Sequence, residues 1–217
     1  MGVIMNIFSK LFKKKSVECN SIVSLANLVK DPDKDFFSKH KQDVKELEKN
    51  NIHRQYLKIL EERGEVIRVI KGLYVAPDKD INEFFIMGER YKTGIFSHNT
   101  ALYFYHLTDR TPMSLDMTFP SNVRVNNDFL EPHYIKPELH SLGETTLKLE
   151  DGTNIKIYDL ERTICDIVKY YDRLDKEICN KALIDYFSGN YNEKNLFLYA
   201  KKMGIYEKLV KKVEVLR

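Results

Sequence analysis

The chain has 217 residues, 43% of them hydrophobic, and a formal net charge of +3. That much apolar sequence can bury one large core or two small ones, which excludes a mainly disordered protein. No apolar run approaches the roughly 18 residues that a membrane-spanning helix requires. Cys19, Cys165 and Cys179 form no Cys-x-x-Cys pair. This argues against a disulfide framework and a zinc site, and predicts a cytoplasmic protein without a metal or another cofactor.

The charge is unevenly distributed along the chain. Residues 34–77 hold ten basic and seven acidic side chains, and residues 201–217 hold six and two. Residues 78–200 hold fourteen basic and twenty acidic side chains, a net charge of −6. The chain is therefore predicted to have a basic head, an acidic middle and a basic tail, with two basic patches that meet anions. The alternative is that these cations only solvate helix faces, and it is stronger for the tail.

Residues 1–33 are predicted to form a basic amphipathic leader followed by a helix. Its apolar residues Ile7, Phe8 and Leu11 share one helical face, and Asp31-Pro32-Asp33 ends the segment. Because so short an apolar face binds lipid weakly, docking on the protein body or on a partner is favoured over a membrane contact. A membrane-tethered adaptor is the alternative.

Residues 34–77 are predicted to form a winged helix-turn-helix domain. One helix spans 37–49, Asn50-Asn51 makes the turn, and a second helix runs from 52 to about 63 with Gly64 as its stop. Two β-branched runs, 66–70 and 73–76, then make a hairpin. Helix, turn, helix and hairpin with cations on the second helix and the hairpin is the layout of a DNA-binding winged helix.

Residues 78–217 are predicted to form a mixed α/β domain that ends in helices, so the fold class is α+β. Its predicted helices are 80–90, 97–107, 164–171, 176–187, 193–203 and 206–213. Its predicted strands are 93–96, 113–119, 123–125, 146–149 and 155–158, with a hairpin turn at 150–153.

Three segments in order resemble the AbiEi family of antitoxins, over roughly 35–213. The first, Arg63 to Val69 with Lys71 to Tyr74, looks like the wing of that family. The second, Phe96-Ser97-His98-Asn99-Thr100-Ala101-Leu102, resembles its Ser-x-x-x-Ala-Leu helix, and Glu161-Arg162-Thr163-Ile164-Cys165-Asp166 resembles its Glu-Arg-Thr-x-x-Asp helix start. The resemblance implies a non-enzymatic antitoxin of a type IV toxin–antitoxin (abortive infection, phage defence) system. Such a protein represses its own promoter and counters a nucleotidyltransferase-like toxin, directly or functionally.

The candidate DNA-binding residues lie in the predicted winged helix. Arg54, Gln55 and Lys58 are expected to face the major groove of double-stranded DNA, where Arg pairs with guanine and Gln with adenine. Arg68 and Lys71 are expected to reach phosphates from the wing, and Lys39 and Lys41 to lie against the backbone. Inverted repeats in the promoter would favour two copies side by side. The alternative is a winged helix that serves protein contacts only, as an adaptor.

The candidate residues of the second domain divide into a helix start and a basic tail. Glu161, Arg162 and Asp166 are interpreted as structural, since Glu161 suits a helix N-terminus and Asp166 lies four residues beyond Arg162. The tail is expected to contact the toxin, RNA or the toxin's nucleotide target, and the sequence leaves these open. It consists of Lys201, Lys202, Lys208, Lys211 and Lys212.

The rival function is a metal-dependent nuclease. Its site would be Asp116, Glu144 and Lys148 on neighbouring strands. The spacing argues against it, because Glu144 and Lys148 are four apart where such a site brings a carboxylate and a lysine two apart.

Overall fold

The computed structural model describes residues 42–43, 54–71, 73–75, 77 and 82–216. It divides the chain into two compact units, Met1–Ile81 and Asn82–Arg217, so the boundary lies four residues beyond the predicted one at 77. The predicted leader, Lys39 and Lys41 lie outside the described residues.

In the first unit, helix α1 (Arg54–Glu62) lies within the predicted second helix. Leu57 and Leu60, three residues apart, are 2% and 3% exposed and form its buried face. Gly64 follows at φ +71, and the Glu65 amide donates to the carbonyl of Leu60 over 2.9 Å. This is a helix end of the kind that glycine permits, because glycine adopts positive φ without steric cost.

A three-stranded antiparallel sheet accompanies α1. It consists of β1 (Gln42–Asp43), β2 (Ile67–Ile70) and β3 (Leu73–Val75) in the order β1-β3-β2. The predicted hairpin of β2 and β3 is present. The predicted helix over 37–49 is wrong at 42–43, which pair with β3 instead. The charged pattern of that segment is compatible with a helix, but the free edge of β3 offers hydrogen-bond partners that a local pattern cannot reveal.

The second unit alternates short strands and helices before a helical end. Its elements are α2 (Glu83–Arg90), β4 (Ile95–Phe96), α3 (His98–Phe104), β5 (Leu115–Pro120), β6 (Leu130–Ile135), α4 (Pro137–His140), β7 (Glu144–Lys148), β8 (Asn154–Tyr158), α5 (Leu160–Tyr170), α6 (Lys176–Ser188), α7 (Glu193–Lys202) and α8 (Tyr206–Leu216). No helix within the described ranges is long and apolar enough to cross a membrane.

The five strands of the second unit form one mixed sheet in the order β6-β5-β4-β8-β7. Strands β5 and β6 are parallel, as are β4 and β8, while the other two pairings are antiparallel. The predicted mixed α/β domain with C-terminal helices is confirmed. The predicted strand at 123–125 is wrong, and β6 takes its place in the sheet. Pro132 interrupts the strand pattern of β6, yet proline is tolerated there because β6 is an edge strand.

Two groups of buried residues hold the second unit together. Phe96, Met117 and Phe119 belong to the group that packs on the sheet. Ile164 and Leu183 belong to a larger group that joins α5, α6, α7 and α8. The candidate site begins with the polar side chains of β5, the strand that also contributes Met117 and Phe119 to the group on the sheet.

Candidate functional site

Strand β5 carries apolar and polar side chains in alternation. Met117 and Phe119 are fully buried in the sheet group, while Asp116 and Thr118 are buried polar residues, each 3% exposed. Because successive side chains of a strand point to opposite faces, Asp116 and Thr118 share the other face. On the neighbouring parallel strand, His133 stands in register with Thr118. The sheet thus brings His133 beside the polar face of β5.

Asp116 and His133 form a close hydrogen-bonded pair. The Nε2 atom of His133 lies 2.7 Å from Oδ1 of Asp116. The backbone amide of Asp116 donates to Oγ1 of Thr100 over 2.8 Å. Burial raises the pKa of Asp116, and the hydrogen bond from His133 partly opposes that rise. The pair couples a buried carboxyl group to an imidazole that is 17% exposed.

His98, the first residue of α3, completes the polar group. Its φ is +45, a left-handed conformation that is unusual for a residue with a side chain. Its Nδ1 lies 3.0 Å from Oγ of Ser97, which accepts a hydrogen bond from Oγ1 of Thr118 over 2.8 Å. The rings of His98 and His133 are stacked, with centroids 3.6 Å apart and planes 18° apart. Burial lowers the pKa of His98 well below its ordinary value, so the ring is neutral.

The Asp116–His133 pair opens on a cleft of about 730 Å³. Asn99, Tyr170, Arg173 and Ile178 are among its other lining residues. The ring of Tyr170 lies 5.3 Å from that of His98, and the guanidinium of Arg173 lies 5.9 Å from the ring of Tyr170. A small polar ligand can therefore reach His133 without unfolding of the domain.

A second buried polar group lies at the start of α5. Arg162 is 0% exposed, and its Nε donates to Oδ2 of Asp166 over 3.2 Å. Its Nη1 donates to the carbonyls of Leu139 and Leu142 over 3.0 and 2.6 Å. Glu161 accepts the backbone amide of Asn192 through Oε1 over 2.9 Å. These bonds tie α5 to the α4–β7 connection and to the start of α7, which is a structural task.

Three of the five tail lysines are engaged within the helical part of the unit. Lys208 bonds the carbonyl of Lys169 and pairs with Asp172 at 3.3 Å. Lys201 and Lys212 lie 5.3 and 3.3 Å from the centres of the Tyr206 and Tyr171 rings. Lys202 and Lys211 are exposed, and no described residue forms an ion pair with either. The tail therefore presents fewer free cations than its composition suggests.

The nuclease-like set does not converge. Strands β5 and β7 are separated by β4 and β8, which places Asp116 and Glu144 on the order of 14 Å apart at about 4.8 Å per strand. Asp116 binds His133, and Glu144 lies 3.8 Å from Lys156. The expectation of neighbouring strands is wrong because strand order depends on pairing across the sheet and not on proximity in sequence.

The DNA-binding candidates that the structure describes lie on α1 and the hairpin. Arg54 and Gln55 are the first two residues of α1. The Lys58 side chain is 79% exposed and lies 3.8 Å from Glu62. Arg68 is exposed on β2, and Lys71 is exposed in the turn that follows.

Sequence reasoning missed His98 and His133 as candidate site residues. They are 35 positions apart and belong to no spaced motif. The signal that was available is the place of Ser97-His98 between a predicted strand and a predicted helix, where a sharp turn directs a side chain inward.

The second unit is thus a mixed α/β domain with a buried His–Asp–His group beside a cleft. Among solved structures, the chain is similar to the crystal structure of the RV2827C protein from Mycobacterium tuberculosis. The two are 12% identical with a TM-score of 0.43, and the match covers 79% of this chain and 72% of that one. No family model matches this chain, and neither does any curated protein.

Proposed function

We propose that this chain is an AbiEi-like antitoxin of a bacterial toxin–antitoxin pair, which binds the DNA of its own promoter through a winged helix in residues 34–77. The observation that carries the proposal is the exposure of Lys58, Arg68 and Lys71 on one helix and the hairpin that follows it. The ordered resemblance of three sequence segments to that family supports the antitoxin role.

The sheet order β1-β3-β2 favours the winged-helix interpretation. In a winged helix, the recognition helix directly precedes the wing hairpin, and a short strand earlier in the chain pairs with that hairpin. Here β1 precedes α1 and pairs with β3, and α1 leads into β2. This order is compatible with α1 as the recognition helix.

The cations on α1 and those on the hairpin suit two different kinds of DNA contact, with base edges and with phosphates. Recognition helices contact base edges with their N-terminal residues, and Arg54 and Gln55 begin α1. Leu57 and Leu60 form the buried face of the helix. Arg68 and Lys71 on the hairpin suit phosphate contacts, which provide affinity without sequence information. The exposed Lys58–Glu62 pair is a weak one that a DNA phosphate can replace.

For the antitoxin activity, Lys202 and Lys211 are the tail cations that we propose meet the toxin or its nucleic-acid target. Their exposure and their lack of ion pairs with described residues favour them over Lys201, Lys208 and Lys212.

The test of DNA binding is a salt series with DNA from upstream of the gene. Wild-type affinity should fall steeply between roughly 50 and 200 mM salt, because each phosphate contact releases counterions. The Arg54→Ala, Lys58→Ala double variant should bind weakly. The matched control, Lys202→Ala with Lys211→Ala, removes the same charge from the tail and should bind DNA like the wild type.

Absence of binding to upstream DNA even at low salt would contradict the repressor role and leave the adaptor alternative. The antitoxin role is tested separately by growth rescue on co-expression with the neighbouring toxin gene. In that assay the Lys202→Ala, Lys211→Ala variant should fail to rescue growth. The Arg54→Ala, Lys58→Ala variant should rescue it. The opposite pattern would place neutralisation in the first unit.

A further inference from the structure

We propose that His98, Asp116 and His133 bind one divalent transition metal ion at the wall of the cleft in the second unit. One ligand atom from each residue lies within 4.8 Å of the other two. Two imidazoles and a carboxylate are ligands that Zn²⁺ and other divalent transition metal ions accept. In a four-coordinate site they leave one coordination position for water or a substrate atom. The cleft supplies the space for that position.

The state of the His98 ring favours a metal ligand. Its Nε2 is buried without a hydrogen-bond partner in the part of the chain that the structure describes. Leaving a buried polar atom unpaired costs free energy, and coordination to a metal would remove that cost. The ring is 1% exposed, so solvent does not satisfy that nitrogen.

The surroundings of His98 resemble the support that metal-binding histidines receive. Oγ of Ser97 lies 3.0 Å from Nδ1 of His98. When that oxygen accepts the Nδ1 proton, the lone pair of the ring is on Nε2. Oγ1 of Thr118 donates to the same oxygen of Ser97. The left-handed backbone of His98, φ +45, is strained and persists only because the surrounding structure holds it.

Metal binding requires one ring to turn. In the stacked arrangement the planes of His98 and His133 are 18° apart, so their lone pairs lie in two nearly parallel planes and do not point at one ion. His133 is the ring that can move, because its side chain is 17% exposed beside the cleft. Its 2.7 Å hydrogen bond to Asp116 would be replaced by a shared ion, and the two atoms would move apart to about 3.3 Å, the separation of two ligands on a tetrahedral ion.

The nearby charges partly balance one another. Arg162 and Lys169 carry positive charges near His98, but Arg162 is paired with the buried Asp166 at 3.2 Å. Glu131 adds a negative charge near Asp116. A divalent cation bound by the Asp116 carboxylate would therefore have negative as well as positive charges nearby.

The experiment is a titration of the full chain, freed of metal with a chelator, with Zn²⁺ by calorimetry and with Co²⁺ by visible absorption. We expect one ion per chain and, for Co²⁺, the intense bands of a four-coordinate site. His133→Ala should abolish the bands and weaken Zn²⁺ binding by more than about 100-fold. Ser97→Ala, which leaves all three proposed ligands in place, should weaken it by about 10- to 100-fold because His98 loses the hydrogen bond that orients its ring.

His106→Gln is the matched control, because it removes an exposed histidine of the same unit and should leave binding unchanged. Equal thermal unfolding of His133→Ala and the wild type in chelator separates loss of the site from loss of the fold. If His133→Ala does not fold, the same Zn²⁺ and Co²⁺ titrations of Asp116→Asn and Ser97→Ala test the proposal. Zn²⁺ binding that is absent in the wild type, or unaffected in these variants, overturns the proposal.

Discussion

Arg162 and Asp166 lie one helical turn apart on α5 and form an ion pair that water does not reach, with side chains 0% and 2% exposed and a distance of 3.2 Å between Nε and Oδ2. The same guanidinium donates to the carbonyls of Leu139 and Leu142. The Arg162 side chain thus provides a counter-charge for the buried carboxylate. It also provides hydrogen bonds to two carbonyl groups at and just after the end of the short helix α4.

Removal of one partner of this pair should destabilise the second unit strongly. Arg162→Ala leaves Asp166 buried without a counter-charge, and we expect a loss of about 3–5 kcal/mol. Arg162→Lys should recover only part of it, since an ammonium cannot reproduce the geometry of the guanidinium fork. Urea unfolding followed by circular dichroism measures both. A loss under about 1 kcal/mol for Arg162→Ala would show that the pair is dispensable.

Gly143 should not tolerate a side chain. Its φ is +77, and an added Cβ would lie 2.5 Å from Cβ of Arg162. Gly143→Ala should cost more than about 3 kcal/mol, because backbone strain and a steric clash add. Gly152 is the control, with φ +79 and no atom within 4 Å of an added Cβ. Gly152→Ala should cost only about 1–2 kcal/mol. Equal losses in urea unfolding would refute the clash.

Cys165 and Cys179 should resist alkylation in the folded protein. Burial raises the pKa of Cys165 to about 12, with a smaller contribution from Asp166, and burial raises that of Cys179 to about 11. At pH 8 roughly one Cys165 thiol in ten thousand is ionised, and only the thiolate reacts. Mass spectrometry after iodoacetamide should find both unmodified until denaturant is added. Rapid modification of either in native buffer would contradict their burial.

His106 should be replaceable by glycine with a gain in stability. It follows the C-terminus of α3 at φ +57, and the amide of Leu107 donates to the carbonyl of Leu102 over 2.9 Å, a helix end that favours glycine. His106→Gly should stabilise the unit by up to about 1 kcal/mol. His106→Ala keeps the strain and should bring no gain. A lower melting temperature for the glycine variant than for the alanine variant would reverse this assignment.

Much of the architecture followed from local pattern. Residues 66–70 are β-branched except for Arg68, Lys71-Gly72 follow as a turn signal, and the β2–β3 hairpin forms there. The C-terminal helices lie within one to four residues of their predicted ends, because apolar residues recur at helical spacing and Gly189 and Gly204 interrupt them. The four-residue spacing of Arg162 and Asp166 was sufficient to predict their pairing.

The failures share one physical cause, which is that partners distant in sequence decided the outcome. Residues 42–43 are a strand because β3 has a free edge. Leu130 to Ile135 is a strand despite Pro132 because it lies at the edge of the sheet. The strand order also separates Asp116 from Glu144 by two strands, which agrees with the argument from spacing against the nuclease-like set.

By itself, the sequence determined the mixed α/β class of the second unit, the hairpin of the first and the ion pair of α5, since these depend on residues close together in the chain. Only the tertiary structure decided the strand order and the meeting of His98, Asp116 and His133. The 18 and 17 positions between these residues are bridged by the antiparallel pairing of β4 with β5 and the parallel pairing of β5 with β6. Hydrogen bonds between strands form that register, and no periodicity within a single segment encodes it.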